Sequence, residues 1–272
     1  MDDIYYRSAV EQVTAITNGD ISSRELLEQY LERIERLNSD INAVVALDGE
    51  GARKQALAAD EALAAGREPG PLHGLPITIK DTFEVIGLPC TSGAPMLADH
   101  RPRSTADAVK ILVDAGAVVM GKTNVPMFGG DFQSYNDVYG QTNNPWDVQR
   151  TPGGSSGGAA AALAAGFCAL ELGSDIGGSI RTPAHFCGVC GHKPSFGIVP
   201  MRGHVPPLPG IFSGEHTMTM DIVVGGPLAR SMADIELAMG LLSTPERWLQ
   251  TAWQLHLPPP RHRELKDFRA GL

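Results

Sequence analysis

The chain has 272 residues, 43% of them hydrophobic and 19% charged, with 31 glycines and a formal net charge of −9. That size allows a large buried core within one domain, and the acidic balance argues against nucleic acid or an anionic membrane as partner, since both reward basic patches. Four cysteines do not make a disulfide framework in a chain this long, the start MDDIYYRSAV lacks a basic-then-apolar leader, and no apolar run reaches the ~18 residues of a membrane span, so the expectation is a cytoplasmic protein.

Residues 19–38 predict the first clear helix: Ser22 and Glu25 have capping-box spacing, and Leu26, Leu27, Tyr30, Leu31, Ile34 and Leu37 share one face. A second helix is predicted over 52–65, ending at Gly66. The apolar run 75–79 reads as a strand that delivers Lys80 at its end. A helix (104–116) and a strand (117–123) follow, the alternation expected of an α/β sheet with crossover helices. Helix is predicted at 159–165, strand at 167–172 and helix at 231–242, while the Pro- and Gly-rich stretch 193–227 reads as loop. No internal repeat or linker divides the chain. Its last residues read as the lead-in to another strand, so the expectation is one domain over 1–272 that is incomplete at its C-terminus, with a helical segment over 1–66 and a catalytic core over 67–242.

The stretch TPGGSSGGAAAALAAG (151–166) admits three readings. As a tether it is disfavoured, because it runs straight into helix-favouring residues. As a phosphate loop it lacks the G-x-x-x-x-G-K-[ST] lysine, although a bare helix N-terminus can still hold an anion. As the seat of a catalytic serine it matches G-x-S-x-G at Gly153 to Gly157, but the Thr151-Pro152 pair before it is a poor end for the strand a nucleophile elbow follows. A second serine, Ser179, follows Ile176-Gly177-Gly178 in GSDIGGSIRTP, where backbone N–H groups can converge as an oxyanion hole. A Gly-Gly turn with a serine capping a short helix accounts for that segment equally well.

PITIKDTF around Lys80, PGGSSGGAAAALAAG and LGSDIGGSIRTPAHFCGVCGHKPSFG together resemble the amidase signature family, as do TNVPMF (123–128) and GQTNNPWD (140–147). The family includes fatty acid amide hydrolase, bacterial amidases and one component of the glutamyl-tRNA amidotransferase. The resemblance implies a mixed β-sheet core flanked by helices. It implies Lys80 as base, Ser155 as a bridging serine on a cis peptide, and Ser179 as nucleophile. It places the oxyanion-hole backbone at Ile176, Gly177, Gly178 and Ser179, with Ser156, Asp175 and Arg181 in support and Gly129, Gly130 and Asp131 on a segment of the acyl pocket. A lysine can serve as base only if burial lowers its pKa, and Ser155 would relay the proton in a Ser-Lys variant of triad logic.

The implied reaction cleaves a small-molecule carboxylic amide, or an ester or carbamate, through an acyl-enzyme. No metal or organic cofactor is implied. TNVPMFGGDFQSYN looks more like a general amidase than the amidotransferase branch. The N-terminal helices could support a homodimer, though no sequence feature shows one. The competing expectation is a catalytically incompetent fragment that acts as a binding protein on the same fold. HFCGVCGH offers His185, Cys187, Cys190 and His192, but a lone CxxC is a weak metal signal. Met127, which replaces an acidic residue of many relatives, reads as core packing, and His73 as structural or surface.

Overall fold

The computed structural model describes residues 4–205, 221–262 and 264–269. Two capping boxes open its first helices. Ser8 Oγ accepts the Glu11 N–H at 3.1 Å while the Glu11 carboxylate accepts the Ser8 N–H at 2.7 Å. Ser22 and Glu25 repeat the exchange at 3.1 and 2.8 Å. These boxes start α1 (Ala9–Asn18) and α2 (Ser23–Ile41). The helix expected over 19–38 is therefore α2, and α1 is an element the sequence reading did not anticipate. Leu26, Leu27, Tyr30 and Ile34 are buried, whereas Leu31 and Leu37 pack only partly against the core.

The chain continues through β1 (Val44–Leu47), α3 (Gly49–Ala64), β2 (Pro76–Lys80), α4 (Asp107–Asp114) and β3 (Val118–Thr123). A small hairpin, β4 (Tyr135–Asn136) and β5 (Gly140–Gln141), precedes α5 (Gly157–Ala164), β6 (Leu170–Asp175) and α6 (Arg181–Cys187). The described elements end with β7 (Cys190–Gly191), β8 (Val224–Ala229), α7 (Met232–Leu242) and two short 3-10 turns. Six strands form one mixed sheet in the order β1-β3-β2-β6-β8-β7. The central β2 is parallel to β3 and β6, whereas β1 and β8 run antiparallel to their neighbours. Every residue of β2, β3, β6 and β8 is buried, which is the expected state of strands covered on both faces.

The mixed α/β architecture agrees with the sequence reading, and three particulars differ. The segment 1–66 is not purely helical, because it also supplies β1 to the sheet edge. The strand expected at 167–172 lies three residues later and ends at Asp175, so it runs right up to the Gly-Gly turn. The stretch expected to be loop over 193–227 ends in the first residues of β8; residues 206–220 of it lie outside the described residues. Past α7 the chain carries no strand among the described residues, and a 3-10 turn lies at Leu265–Asp267.

Helix α5 is all glycine, alanine and leucine and buries residues 157–163. It lies this close to the sheet because Gly158 has no side chain: a Cβ there would sit 2.3 Å from the Asn124 N and 2.6 Å from its carbonyl oxygen. Part of the GGSSGGAAAA run is thus a packing device that sets the serine turn down beside the ends of β2 and β6. Among the described residues no helix is long and apolar enough to cross a membrane.

Candidate active site

β2 ends on Lys80, whose side chain is 1% exposed and points along the face covered by α5. Its Nζ lies 2.7 Å from Ser155 Oγ, 3.0 Å from Ser174 Oγ and 3.3 Å from the Ser174 carbonyl. An ammonium sealed from water loses its hydration, so burial pulls Lys80 down to about 7, against the opposing pull of the Asp175 and Glu171 carboxylates. Near neutral pH much of this amine therefore carries a free lone pair. In that form the contact reverses, and the Ser155 hydroxyl donates to Nζ.

Ser155 is buried and follows a cis peptide bond from Gly154. Ser156, next to it, ties the two serine turns together: its N–H donates to the Ser179 carbonyl at 3.0 Å, and its Oγ donates to the Ser174 carbonyl at 3.3 Å. Ser179 and Ser155 both line a cavity of about 390 Å3, with Thr82, Phe128, Gly129, Ser174, Ile176, His204, Val205 and Val223. That volume is in the range of a small-molecule site. Gly129 lies against the serine, since a Cβ there would come 3.2 Å from Ser155 Oγ on a backbone already at φ +69°.

Asp175 organises the turn after β6. Its carboxylate accepts the N–H groups of Gly178 (2.8 Å), Ile180 (2.9 Å) and Arg181 (3.3 Å) and the Arg181 guanidinium at 2.9 and 3.1 Å. Burial alone would raise this carboxyl, but the Arg181 contact and the three backbone donors outweigh it and hold Asp175 below the ordinary carboxylate range. The Gly178 N–H is spent on Asp175, which leaves the N–H groups of Ile176, Gly177 and Ser179 as the donors of this turn with no partner among the described residues.

The structure thus brings Lys80, Ser155, Ser156, Ser174, Asp175 and Ser179 together from the ends of β2 and β6 and the N-terminus of α5. Gly129 joins them at the cavity wall, whereas Gly130 and Asp131 do not line it; the Asp131 carboxylate turns back to accept the Gln133 N–H at 3.1 Å. Met127 is 52% exposed and is not the core residue the sequence suggested. His73 is buried, with Nε2 3.1 Å from the Ala59 carbonyl, a structural contact. Cys187 is buried with Sγ against the Pro152 carbonyl, and burial pushes its thiol up to about 12, an inert state.

Sequence reasoning missed Thr82, Ser174, Phe128, His204, Val205 and Val223. His204 packs its ring 4.6 Å from Phe83, and burial with the nearby Lys80 charge holds it down at about 3, so it is a neutral imidazole. Phe128 is fixed by its N–H to the Ser92 carbonyl at 2.7 Å, and Ser92 in turn hangs on Asp81 through a 3.1 Å backbone bond. Asp81 is paired at 3.3 Å with the buried Lys122. Thr82, Phe128 and Ser174 lie inside PITIKDTF, TNVPMF and LGSDIGGS, stretches that carry the resemblance, whereas His204, Val205 and Val223 had no sequence signal.

Comparison with known proteins places the chain in a family. The profile of the family described as "Amidase" matches residues 25–272. The chain belongs to the amidase signature family. A bacterial aryl acylamidase of that family superposes with a TM-score of 0.82 at 32% identity, covering 93% of this chain and 50% of that one. An indoleacetamide hydrolase of Bradyrhizobium diazoefficiens is 42% identical over 88% of this chain and 45% of its own. A glutamyl-tRNA(Gln) amidotransferase component from Gloeobacter violaceus is 36% identical over 93% of this chain and 50% of its own. The chain therefore spans about half the length of the curated relatives it matches.

Proposed function

We propose that this protein hydrolyses a carboxylic amide of a small apolar acid through a serine acyl-enzyme. The observation that carries the reading is the buried Lys80 amine within 2.7 Å of Ser155 Oγ, at the wall of a cavity that Ser179 also lines. Neutral Lys80 takes the Ser155 proton as Ser155 takes that of Ser179, and the freed Ser179 Oγ attacks the amide carbon. The oxyanion that forms is met by the unpartnered N–H groups of the 176–179 turn. The C–N bond then breaks as the proton returns through Ser155 to the leaving nitrogen. Water, deprotonated by the same route, cleaves the acyl ester and releases the acid.

The substrate class rests on the cavity lining. Phe128, Ile176, Val205 and Val223 are apolar, and among the described residues no charged side chain joins them in the wall. An aryl or aliphatic acyl group suits such a wall better than a charged one. The indoleacetamide hydrolase and aryl acylamidase relatives support the same choice. The likeness to an amidotransferase component supports a second reading, in which an amide is hydrolysed to deliver ammonia to a partner enzyme.

The test is a panel of aryl and alkyl primary amides, with glutamine included, assayed for ammonia release by the wild-type chain and Ser179→Ala. The account expects turnover of the aryl amides, a loss of at least about a hundredfold in Ser179→Ala, and an acid limb in kcat/KM near the Lys80 value of about 7. Turnover of glutamine alone would move the assignment to the second reading. Equal activity in Ser179→Ala would remove that serine as nucleophile.

A further inference from the structure

One buried carboxyl beside this machinery takes no part in the reaction above. Glu171 stands on β6, fully buried, and accepts a hydrogen bond from Thr123 Oγ1 on β3. Its other oxygen accepts the Leu172 N–H at 2.8 Å. Between β6 and β3 lies β2. The register sets Glu171 opposite Thr78 and Thr123 opposite Lys80. Thr78 and Lys80 are two residues apart on one strand and so share a face. To reach Thr123, the Glu171 side chain must cross β2 on the very face from which Lys80 rises.

We propose that Glu171 is a positioning residue for the Lys80 amine: its carboxyl, strung across β2 beneath the lysine stem, sets how much of that amine is unprotonated and available as a base. This rests on the reading of Lys80 as the general base. The groups that face Glu171 can be named element by element. β2 contributes Lys80, whereas Lys122 of β3, opposite Ile79, stands on the other face of the sheet and is paired with Asp81. Asp175 lies further along β6 and is committed to Arg181. The Cys168 thiol, to which Thr78 donates, is pushed by burial to about 12 and stays neutral. Neither α5 (GGAAAALA) nor β8 (VGGPLA), which pack on the same strands, carries an ionisable side chain.

Burial raises Glu171 to about 8, close to Lys80 at about 7. Two such groups in a dry site share protons, and their titration belongs to the pair. An ionised Glu171 favours the ammonium, and a protonated one releases the amine. Removing the carboxyl therefore lowers the Lys80 midpoint in proportion to the share of Glu171 that is ionised there.

The midpoint can be read without catalysis by NMR titration of lysine side chains in the whole 272-residue protein, with the Lys80 signal assigned by its absence in Lys80→Met. Glu171→Gln is expected to move that midpoint down by on the order of 0.5–1 pH unit. Thr123→Val keeps the carboxyl but removes a hydrogen bond that favours its ionised form, so it must shift Lys80 in the same direction by less. It also serves as the test should Glu171→Gln not fold. An unchanged Lys80 midpoint in the folded variants would overturn the proposal, because a merely structural glutamate alters stability and leaves the midpoint where it was. A shifted midpoint in a protein that hydrolyses no amide would uphold the coupling and sink the amidase reading instead. Hydrolysis with an unshifted midpoint would do the reverse.

Discussion

Lys80 is held in the fold at the expense of stability. Its amine titrates at about 7 in the folded protein and near 10.4 in an unfolded chain. Between those values the unfolded chain binds more protons, so stability rises with pH across that window. Below about 7 the full penalty is present, and above about 10.4 it is gone. Lys80→Met removes the dependence. The variant is expected to be more stable than wild type at pH 7 by on the order of a few kcal/mol, with the gap closing toward pH 10, while hydrolysis falls by about 10²–10⁴. Urea denaturation at pH 7 and pH 9.5 checks this, and a gap that does not change with pH would mean that the lysine is not buried as an amine. The site residues Lys80, Ser155, Ser179 and Asp175 were legible because each sits in a long motif. His204 and Val223 were not, because they reach the cavity from separate stretches with no chemical pattern of their own, and Thr82, although inside PITIKDTF, carries no chemistry that would single it out.

At the scale of elements, the packing of α5 decides where the serines stand. Gly158 allows it to touch the backbone of Asn124. Gly158→Ala would push the helix away from the sheet, and overpacking of this kind costs about 1–3 kcal/mol. The expected result is a lower Tm together with a loss of activity greater than the loss of folded protein, because Ser155 and Ser156 move with the helix. A Tm within error of wild type would show that the helix tolerates the displacement. Elements with an apolar period or a side-chain cap, such as α2, α4 and α7, could be read from sequence. β8 could not: VGGPLA has two glycines and a proline, and it is a strand because β6 and β7 pair with it. α1 is ten residues long and opens on a capping box, Ser8 to Glu11, a signal that the sequence reading passed over. The strand before Ser179 was placed three residues early because Gly173 and Ser174 have low strand propensity, yet both pair with β8.

The whole molecule sets an acidic chain around a cavity of about 390 Å3 in which Phe128, Ile176, Val205 and Val223 stand opposite the serines. That arrangement favours a small uncharged ligand over a polyanion. All of the proposed chemistry lies in the stretch from Lys80 to Ser179, inside the half of the curated relatives that this chain spans. The sheet order brings these residues together, since parallel β2 and β6 are neighbours and both end at the cavity. The central claim is that Ser179, activated through Ser155 and Lys80, is the nucleophile. The most direct measurement is to treat the purified protein with a fluorophosphonate serine trap and map the adduct by mass spectrometry. The account expects a single adduct on Ser179 that disappears in Lys80→Met. An adduct on Ser155, or none on protein shown to be folded, would contradict it.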